Sequence, residues 1–277
     1  TVVSFALLFA IVASLVTVVP GVAIGGALPG SAAEDAGIDR GDVLVGVDGE
    51  PIADETEFNA ALAEADRAVT VDRVEGEPVT VERSLIITRA VVSGPVETGQ
   101  EIQSVSGESV YTESAFESAV SGQEVVEVGL GNETVQVPVG TFVSTVPSDQ
   151  PLGAEGAPDR PMIVPSIGGE PTPDQEALSA ALADTNPGER VEVVTYHGSD
   201  PWSGERHVYA VTLDEHPTEG HGFLGVGGIQ SGTSGIVVDD FGIDTYPAEQ
   251  YHGMLGGTDT GDDPVSTFVT RTFAVLV

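Results

Sequence analysis

LPGSAAEDAGIDRGDVLVGVDG, residues 28–49, is the stretch on which the fold turns. Ser31-Ala32-Ala33 opens a one-turn helix whose small side chains let it lie close against a sheet, and Arg40-Gly41-Asp42 turns the chain into an apolar strand from Val43 to Val47. Gly49 supplies a second turn, because glycine takes a positive φ without a steric penalty. That turn leads into a helix.

Outward from this stretch, VDGEPIADETEFNAAL at 47–62 recurs without gaps as VSGESVYTESAFESAV at 105–120 and IGGEPTPDQEALSAAL at 167–182. Each copy predicts a strand end, a Gly-Glu turn and a short helix. Asp54, Thr112 and Asp174 are placed to accept from the free amides of a first helical turn, and Asp54 with Glu57 has capping-box spacing. The i, i+4 pairs Phe58/Leu62, Phe116/Val120 and Leu178/Leu182 predict one buried stripe per helix. A hairpin follows each helix. Val69, Val71 and Val74 face Val79 and Val81 across Glu75-Gly76-Glu77; Val126 and Val128 face Val135 and Val137 across Gly131-Asn132; and Val191 and Val193 face Val208 and Val211 across a longer loop from His197 to Arg206.

Composition sets the limits. The 277 residues carry 44 acidic and 9 basic side chains, a net charge of −35, and every cation is Arg. With no basic stripe to neutralise phosphates, nucleic acid is excluded as a partner. The carboxylates are spread among periodic apolar segments and the mean hydropathy is +0.12, which argues for packed cores and against a disordered acidic tail. An acidic, Lys-free surface suits multimolar salt, where screening contracts to about 3 Å, so a halophilic archaeal source is expected. Absence of cysteine removes disulfides, thiolate catalysis and Cys-ligated zinc.

No charged residue occurs before Glu34, and Val2 to Val19 is apolar apart from Ser4, Ser14 and Thr17. About 20 such residues span a bilayer, so a transmembrane helix is expected over 1–20, in preference to a signal peptide, whose basic n-region is not visible. Phe268 to Val277, apolar but for Thr270, Arg271 and Thr272, is a candidate start of a second span. Both ends are expected to be cuts through a longer protein.

The string at 28–49 resembles the signature of the bacterial-type, circularly permuted PDZ domain: P-G-S, a small-residue helix ending A-G-φ, then G-D, an apolar strand and a second turn glycine. Ser93 to Gln100 and Pro151 to Ala157, at the matching places of the other two copies, depart from it and look like degenerate units. With an apolar segment on either side, the whole chain resembles the middle of a haloarchaeal site-2 protease, an intramembrane zinc metalloprotease. Gly222-Phe223-Leu224-Gly225-Val226 and the run from Asp239 to Ala248 share that resemblance.

The implied fold class is α+β: tandem PDZ-like domains, small partly open antiparallel β-barrels with short helices, flanked by transmembrane helices. The implied divisions are a transmembrane helix at 1–20, a PDZ domain at 21–90, a degenerate repeat at 91–145, a PDZ-like repeat at 146–215, an acidic, Gly-rich connecting segment at 216–263, and the start of a second span at 264–277. PDZ domains add an extended chain to a sheet edge and hold its terminal carboxylate in a nest of backbone amides. The resemblance therefore implies peptide-binding residues Gly21, Val22, Ala23, Ile24 and Gly25 on a strand, facing Phe58, Ala61 and Leu62 on a helix.

Site-2 proteases hold zinc on an H-E-x-x-H helix and a later D-G-containing helix. Neither motif occurs here, so no catalytic residue or metal ligand is assigned in this sequence, and the zinc of the full-length enzyme is expected elsewhere. The implied role is to filter or bind substrates for a multi-pass membrane protease, with the PDZ region extracytoplasmic. Its partners would be peptides or single-span membrane proteins and the lipid bilayer. A membrane-anchored PDZ adaptor without protease activity is the alternative; a trypsin-like protease would need a soluble catalytic domain where the apolar segment stands.

Other constellations weigh less. Glu215, His216, Glu219 and His221 offer N and O donors, but Pro217 and Gly220 predict a plain loop there. Asp259, Asp262 and Asp263 lack EF-hand spacing. Trp202, with Tyr196 and His197, is expected to pack within its own hairpin loop, and Asn132-Glu133-Thr134 is a glycosylation sequon only if it faces outside. Nucleophile-elbow and P-loop fingerprints are absent.

Overall fold

The computed structural model describes residues 20–91 and 94–246. The expected span at 1–20, Pro20 apart, and the one at 264–277 lie outside the described residues. No helix among those described is long and apolar enough to cross a membrane.

The 16-residue repeat builds the same local structure three times. In the first unit, β1 (Val22–Ala27) leads through the one-turn helix α1 (Ala32–Asp35) to β2 (Val43–Val47), then α2 (Glu55–Glu64) and the hairpin β3 (Ala68–Arg73) and β4 (Val79–Glu82). The second unit contains β5 (Leu85–Ala90), β6 (Ser104–Val105), α3 (Glu113–Val120), β7 (Val125–Leu130) and β8 (Glu133–Pro138). Among its described residues there is no helix where α1 would stand. In the third unit are β9 (Thr141–Val143), the one-turn α4 (Pro151–Ala154), β10 (Met162–Ile167), α5 (Gln175–Ala183), β11 (Arg190–His197) and β12 (Glu205–Thr212).

Each repeat turn is a two-residue hairpin closed by the pairs Val47↔Glu50, Val105↔Glu108 and Ile167↔Glu170. Both central residues take positive φ, as a type I′ turn demands: Asp48 and Gly49, Ser106 and Gly107, Gly168 and Gly169. The caps form as the sequence predicts. Asp54 accepts from the Glu57 amide at 2.9 Å, Thr112 from Ala115 at 3.1 Å and Asp174 from Ala177 at 2.8 Å, each satisfying a donor that has no intrahelical partner. Phe58, Leu62, Phe116, Val120 and Leu178 are buried, with Leu182 partly buried against the third core.

Part of the expected connecting segment is instead structural. After the small hairpin β13 (Asp214–Glu215) and β14 (Gly222–Phe223), the chain returns along the three units in reverse order. Gly227 bridges Thr145 beyond β9 in the third unit, β15 (Ile236–Asp239) pairs with β5 in the second, and β16 (Ile243–Thr245) pairs with β1 in the first. The first sheet therefore runs β16-β1-β2-β3-β4. Ile236 and Val238 complete the middle core and Phe241 the first, each contributing about 1.5–3 kcal/mol of transfer free energy on burial. A solvated linker would forgo that burial.

Trp202 does not stay in its loop. It stacks on Phe142 with ring centroids 5.5 Å apart, and its indole N–H donates to the Ser234 carbonyl at 3.3 Å, tying the third unit's hairpin loop to the return segment. His197 instead stacks on His207 at 3.9 Å and contacts the Tyr209 hydroxyl at 2.9 Å.

Candidate functional site

A strand can be added only to an edge with free backbone groups. β1 has none to spare. Val22 and Ala23 pair with Leu44 and Val43 of β2 on one side, and Ile24, Gly26 and Ala27 pair with Thr245, Asp244 and Ile243 of β16 on the other. The Tyr246 amide extends that second ladder, donating to the Ala23 carbonyl at 3.0 Å. The expectation that Gly21, Val22, Ala23, Ile24 and Gly25 receive a peptide is thus corrected: a segment more than 200 residues away in sequence already fills that edge. Gly25 serves this closure and Gly21 the approach of β2 on the other side. A Cβ on Gly25 would stand 3.1 Å from the Asp244 carbonyl oxygen, and one on Gly21 would overlap the Leu44 carbonyl.

Among the described residues the open edge is that of β16. It is the terminal strand of its sheet, and a cleft of about 700 Å³ separates it from α2. Phe58 and Leu62 line this cleft, and Phe58 meets Phe241 edge to face with centroids 5.3 Å apart. Ala61 packs at the margin of the first core and does not line the cleft. The opposite wall is Asp239 to Thr245, with the start of α3 closing one end.

Phe241-Gly242-Ile243 leads into β16 with Gly242 at φ +82°, and two backbone amides there, those of Phe241 and Gly242, converge on one oxygen. That oxygen belongs to the protein itself: Asp239 Oδ1 accepts from the Phe241 amide at 2.9 Å and also from the Gly242 amide. The loop is anchored from behind by Leu28 and Ala33, whose amides donate to the Gly242 and Phe241 carbonyls at 2.8 and 3.0 Å.

A family profile described as "PDZ domain" matches residues 24–73, which run from β1 through α1, β2 and α2 to the end of β3. The chain contains a PDZ domain. Among solved structures, this protein is similar to the crystal structure of the PDZ domain of the SdrC-like protein from Listeria monocytogenes, at 17% identity and a TM-score of 0.27, over 32% of this chain and 85% of that one. No curated protein matches.

The PDZ cleft is acidic. Glu55 from α2, Glu113 and Glu117 from α3, and Asp239, Asp240 and Asp244 from the return segment all line it, against a single cation, Arg83. Arg83 is buried and already engaged. It donates to Asp240 Oδ2 at 2.7 Å and to the Leu62 and Ala65 carbonyls at 2.7 and 3.2 Å, capping the C-terminus of α2. Asp240 also accepts from the Glu113 amide at 3.0 Å, so one carboxylate joins the PDZ domain to the first turn of α3. Burial raises the Glu113 carboxyl above its ordinary range, and Glu117, Asp239 and Asp240 push it further the same way.

A second cluster lies apart from the PDZ domain. The loop expected to be plain brings His216, Glu219 and His221 together, with their ligating atoms all within 4.8 Å of one another, and leaves Glu215 out. Spacing alone could not reveal this, because the hairpin register sets which two His rings share a face.

Proposed function

We propose that this protein binds an extended, positively charged peptide segment by strand addition to β16, in the cleft between β16 and α2. One observation carries the proposal: a free strand edge borders a cleft whose six carboxylates face one neutralised guanidinium, and whose paired backbone amides are taken by Asp239. A terminal carboxylate would have to displace Asp239 and enter a field of its own sign, whereas Lys or Arg side chains gain Coulomb attraction and rapid association. The ligand is therefore an internal segment or a loop and not a free C-terminus.

The test is fluorescence anisotropy with a labelled Arg/Lys-rich peptide, set against an acidic peptide with a free C-terminus. Asn59 is exposed on the α2 wall, so Asn59→Trp fills the cleft at little cost to folding. Binding of the basic peptide, at least about tenfold weaker in Asn59→Trp, is expected, given about 1.4 kcal/mol per tenfold. Equal binding to both proteins, or preference for the acidic peptide, overturns the assignment.

In the wider setting we propose that this binding region belongs to a membrane-embedded zinc metalloendopeptidase of the site-2 type, in the cell membrane of a halophile. There it would receive or filter single-span substrates on the extracytoplasmic side. The uncharged apolar stretch at 1–20 and the PDZ domain that follows support that setting. This reading puts the catalytic zinc and its ligands in sequence beyond these 277 residues, because no H-E-x-x-H occurs among them. Cleavage of a single-span reporter by the full-length protein, abolished by a zinc chelator, is the expected result; an intact reporter favours an adaptor without protease activity.

A further inference from the structure

The hairpin of β13 and β14 pairs Asp214 with Phe223 and Glu215 with Gly222. The next step of that ladder places His216 opposite His221, and the His216 amide donates to the His221 carbonyl at 2.8 Å. Directly opposed residues on an antiparallel pair project to the same face. The two imidazoles accordingly stack with centroids 4.7 Å apart. Between them Pro217-Thr218-Glu219-Gly220 forms the turn, with Gly220 at φ +77° bringing the chain back.

Glu219 is carried over the same face. Its Oε2 lies 2.7 Å from His221 Nε2 and 3.9 Å from His216 Nδ1. The protonation pattern matters here. His221 Nδ1 is 2.8 Å from the Gly222 carbonyl, which only an N–H can satisfy, so Nε2 is the nitrogen that faces the Glu219 carboxylate, donating to it without a metal ion and free to ligate once that proton leaves. His216 Nδ1 accepts a long hydrogen bond from the Glu219 amide at 3.3 Å, so it carries a lone pair that a metal ion could take in place of that amide. Two ring nitrogens and a carboxylate oxygen thus lie within 4.8 Å of one another, close enough for a single ion to draw them together.

We infer that His216, Glu219 and His221 form a binding site for a divalent transition-metal ion of the zinc type. Two imidazole nitrogens and a carboxylate oxygen are borderline donors suited to zinc, nickel or copper and poorly suited to magnesium or calcium. Bonds of about 2.0–2.1 Å in a tetrahedron separate donors by about 3.3 Å. The observed separations, from 2.7 Å to no more than 4.8 Å, bracket that value, and the exposed Glu219 side chain can supply the adjustment by rotation. The Gly222 carbonyl plays the outer part that fixes the tautomer and orientation of a ligating histidine. Phe223 packs edge-on against His216 with centroids 5.6 Å apart, holding the second ring. Three protein ligands leave a coordination position for water. The ion would staple the hairpin from which the return segment departs toward Leu224, whose carbonyl accepts from the Leu152 amide of α4 at 3.2 Å.

The site is independent of the PDZ cleft. The experiment is calorimetric titration of the tag-free, chelator-treated chain with zinc chloride in excess magnesium, which occupies the ordinary surface carboxylates. Cobalt is the spectroscopic substitute. One equivalent of zinc should bind, cobalt should give visible bands of tetrahedral type, and His221→Gln or His216→Asn should each weaken binding at least about tenfold, the usual cost of losing one ligand's contribution. Circular dichroism of both variants should match that of the parent, since the loop contributes little to any core. Zinc uptake that magnesium abolishes, or uptake unchanged in both histidine variants, would show that a proton and not a metal ion bridges His221 and Glu219, and would overturn the assignment.

Discussion

Arg83→Met removes the guanidinium that links α2, the return segment and α3 while keeping most of the side chain's apolar length. Arg83 is 3% exposed and Asp240 14%, and the loss leaves Asp240, together with the Leu62 and Ala65 carbonyls, without their donor. Breaking a buried pair by removing one partner costs about 3–5 kcal/mol. Asp240 retains the Glu113 amide, so the lower figure applies, about 3 kcal/mol, or roughly a hundredfold in the unfolding equilibrium. Urea unfolding followed by the fluorescence of the single Trp, Trp202, and by far-ultraviolet circular dichroism should show the midpoint falling by about 1–2 M for a slope near 2 kcal/mol per M. Asp240→Asn neutralises the stranded charge, so Arg83→Met combined with Asp240→Asn should be less destabilised than the sum of the single variants by at least about 1 kcal/mol. A midpoint unchanged by Arg83→Met, or strict additivity in the double variant, would refute the view that this pair ties the first unit to the second.

Gly242→Ala should destabilise by about 2 kcal/mol or more, because Gly242 sits at φ +82° and an added Cβ would overlap Ser31, whereas Gly26→Ala meets nothing within 4 Å and should stay within about 0.5 kcal/mol of the parent. Thermal melts of the pair decide this, and equal melting temperatures would contradict it. Burial, then the stacked His207, then Arg160, hold His197 below its ordinary 6.5. In the window just beneath that value the unfolded chain binds a proton that the folded one refuses, so stability should fall as the pH drops through it; His197→Gln should flatten the dependence, and an unaltered slope would sink the idea. Tyr196 is pushed up to about 12, first by burial and then by its hydrogen bond to Glu124 at 2.8 Å, so in an ultraviolet titration one tyrosine should ionise late and Glu124→Gln should bring it forward. A titration insensitive to Glu124→Gln would exclude that cause.

What was legible in the sequence was local. The caps at Asp54, Thr112 and Asp174 and the i, i+4 pairs beside them lie within one repeat, and each formed as expected. Phe58 and Leu62 were legible as the buried face of α2 for the same reason. The other wall was assigned to β1 because nothing near it in sequence advertises a strand that arrives from residue 243. Ile236-Val237-Val238 and Ile243 are runs too short for a period to declare itself, and Gly and Asp on both sides write them as linker. The doubly positive φ of the repeat turns was half visible, since the glycine of each pair was read while Asp48 and Ser106 before it were not.

The bond from the Tyr246 amide to the Ala23 carbonyl also fixes where the body meets the rest of the polypeptide. Entry at Gly21 and departure at Tyr246 lie on adjoining strands, so more than 220 residues form a closed excursion that begins and finishes at one spot. Domains whose ends adjoin can be set into a host loop without separating what lies on either side. A pull on one flank is shared at once with the other across the β1 and β16 ladder. A ligand seated against β16, as proposed, would press on the very strand that leads out, so that an occupied cleft would have a direct mechanical handle on that exit.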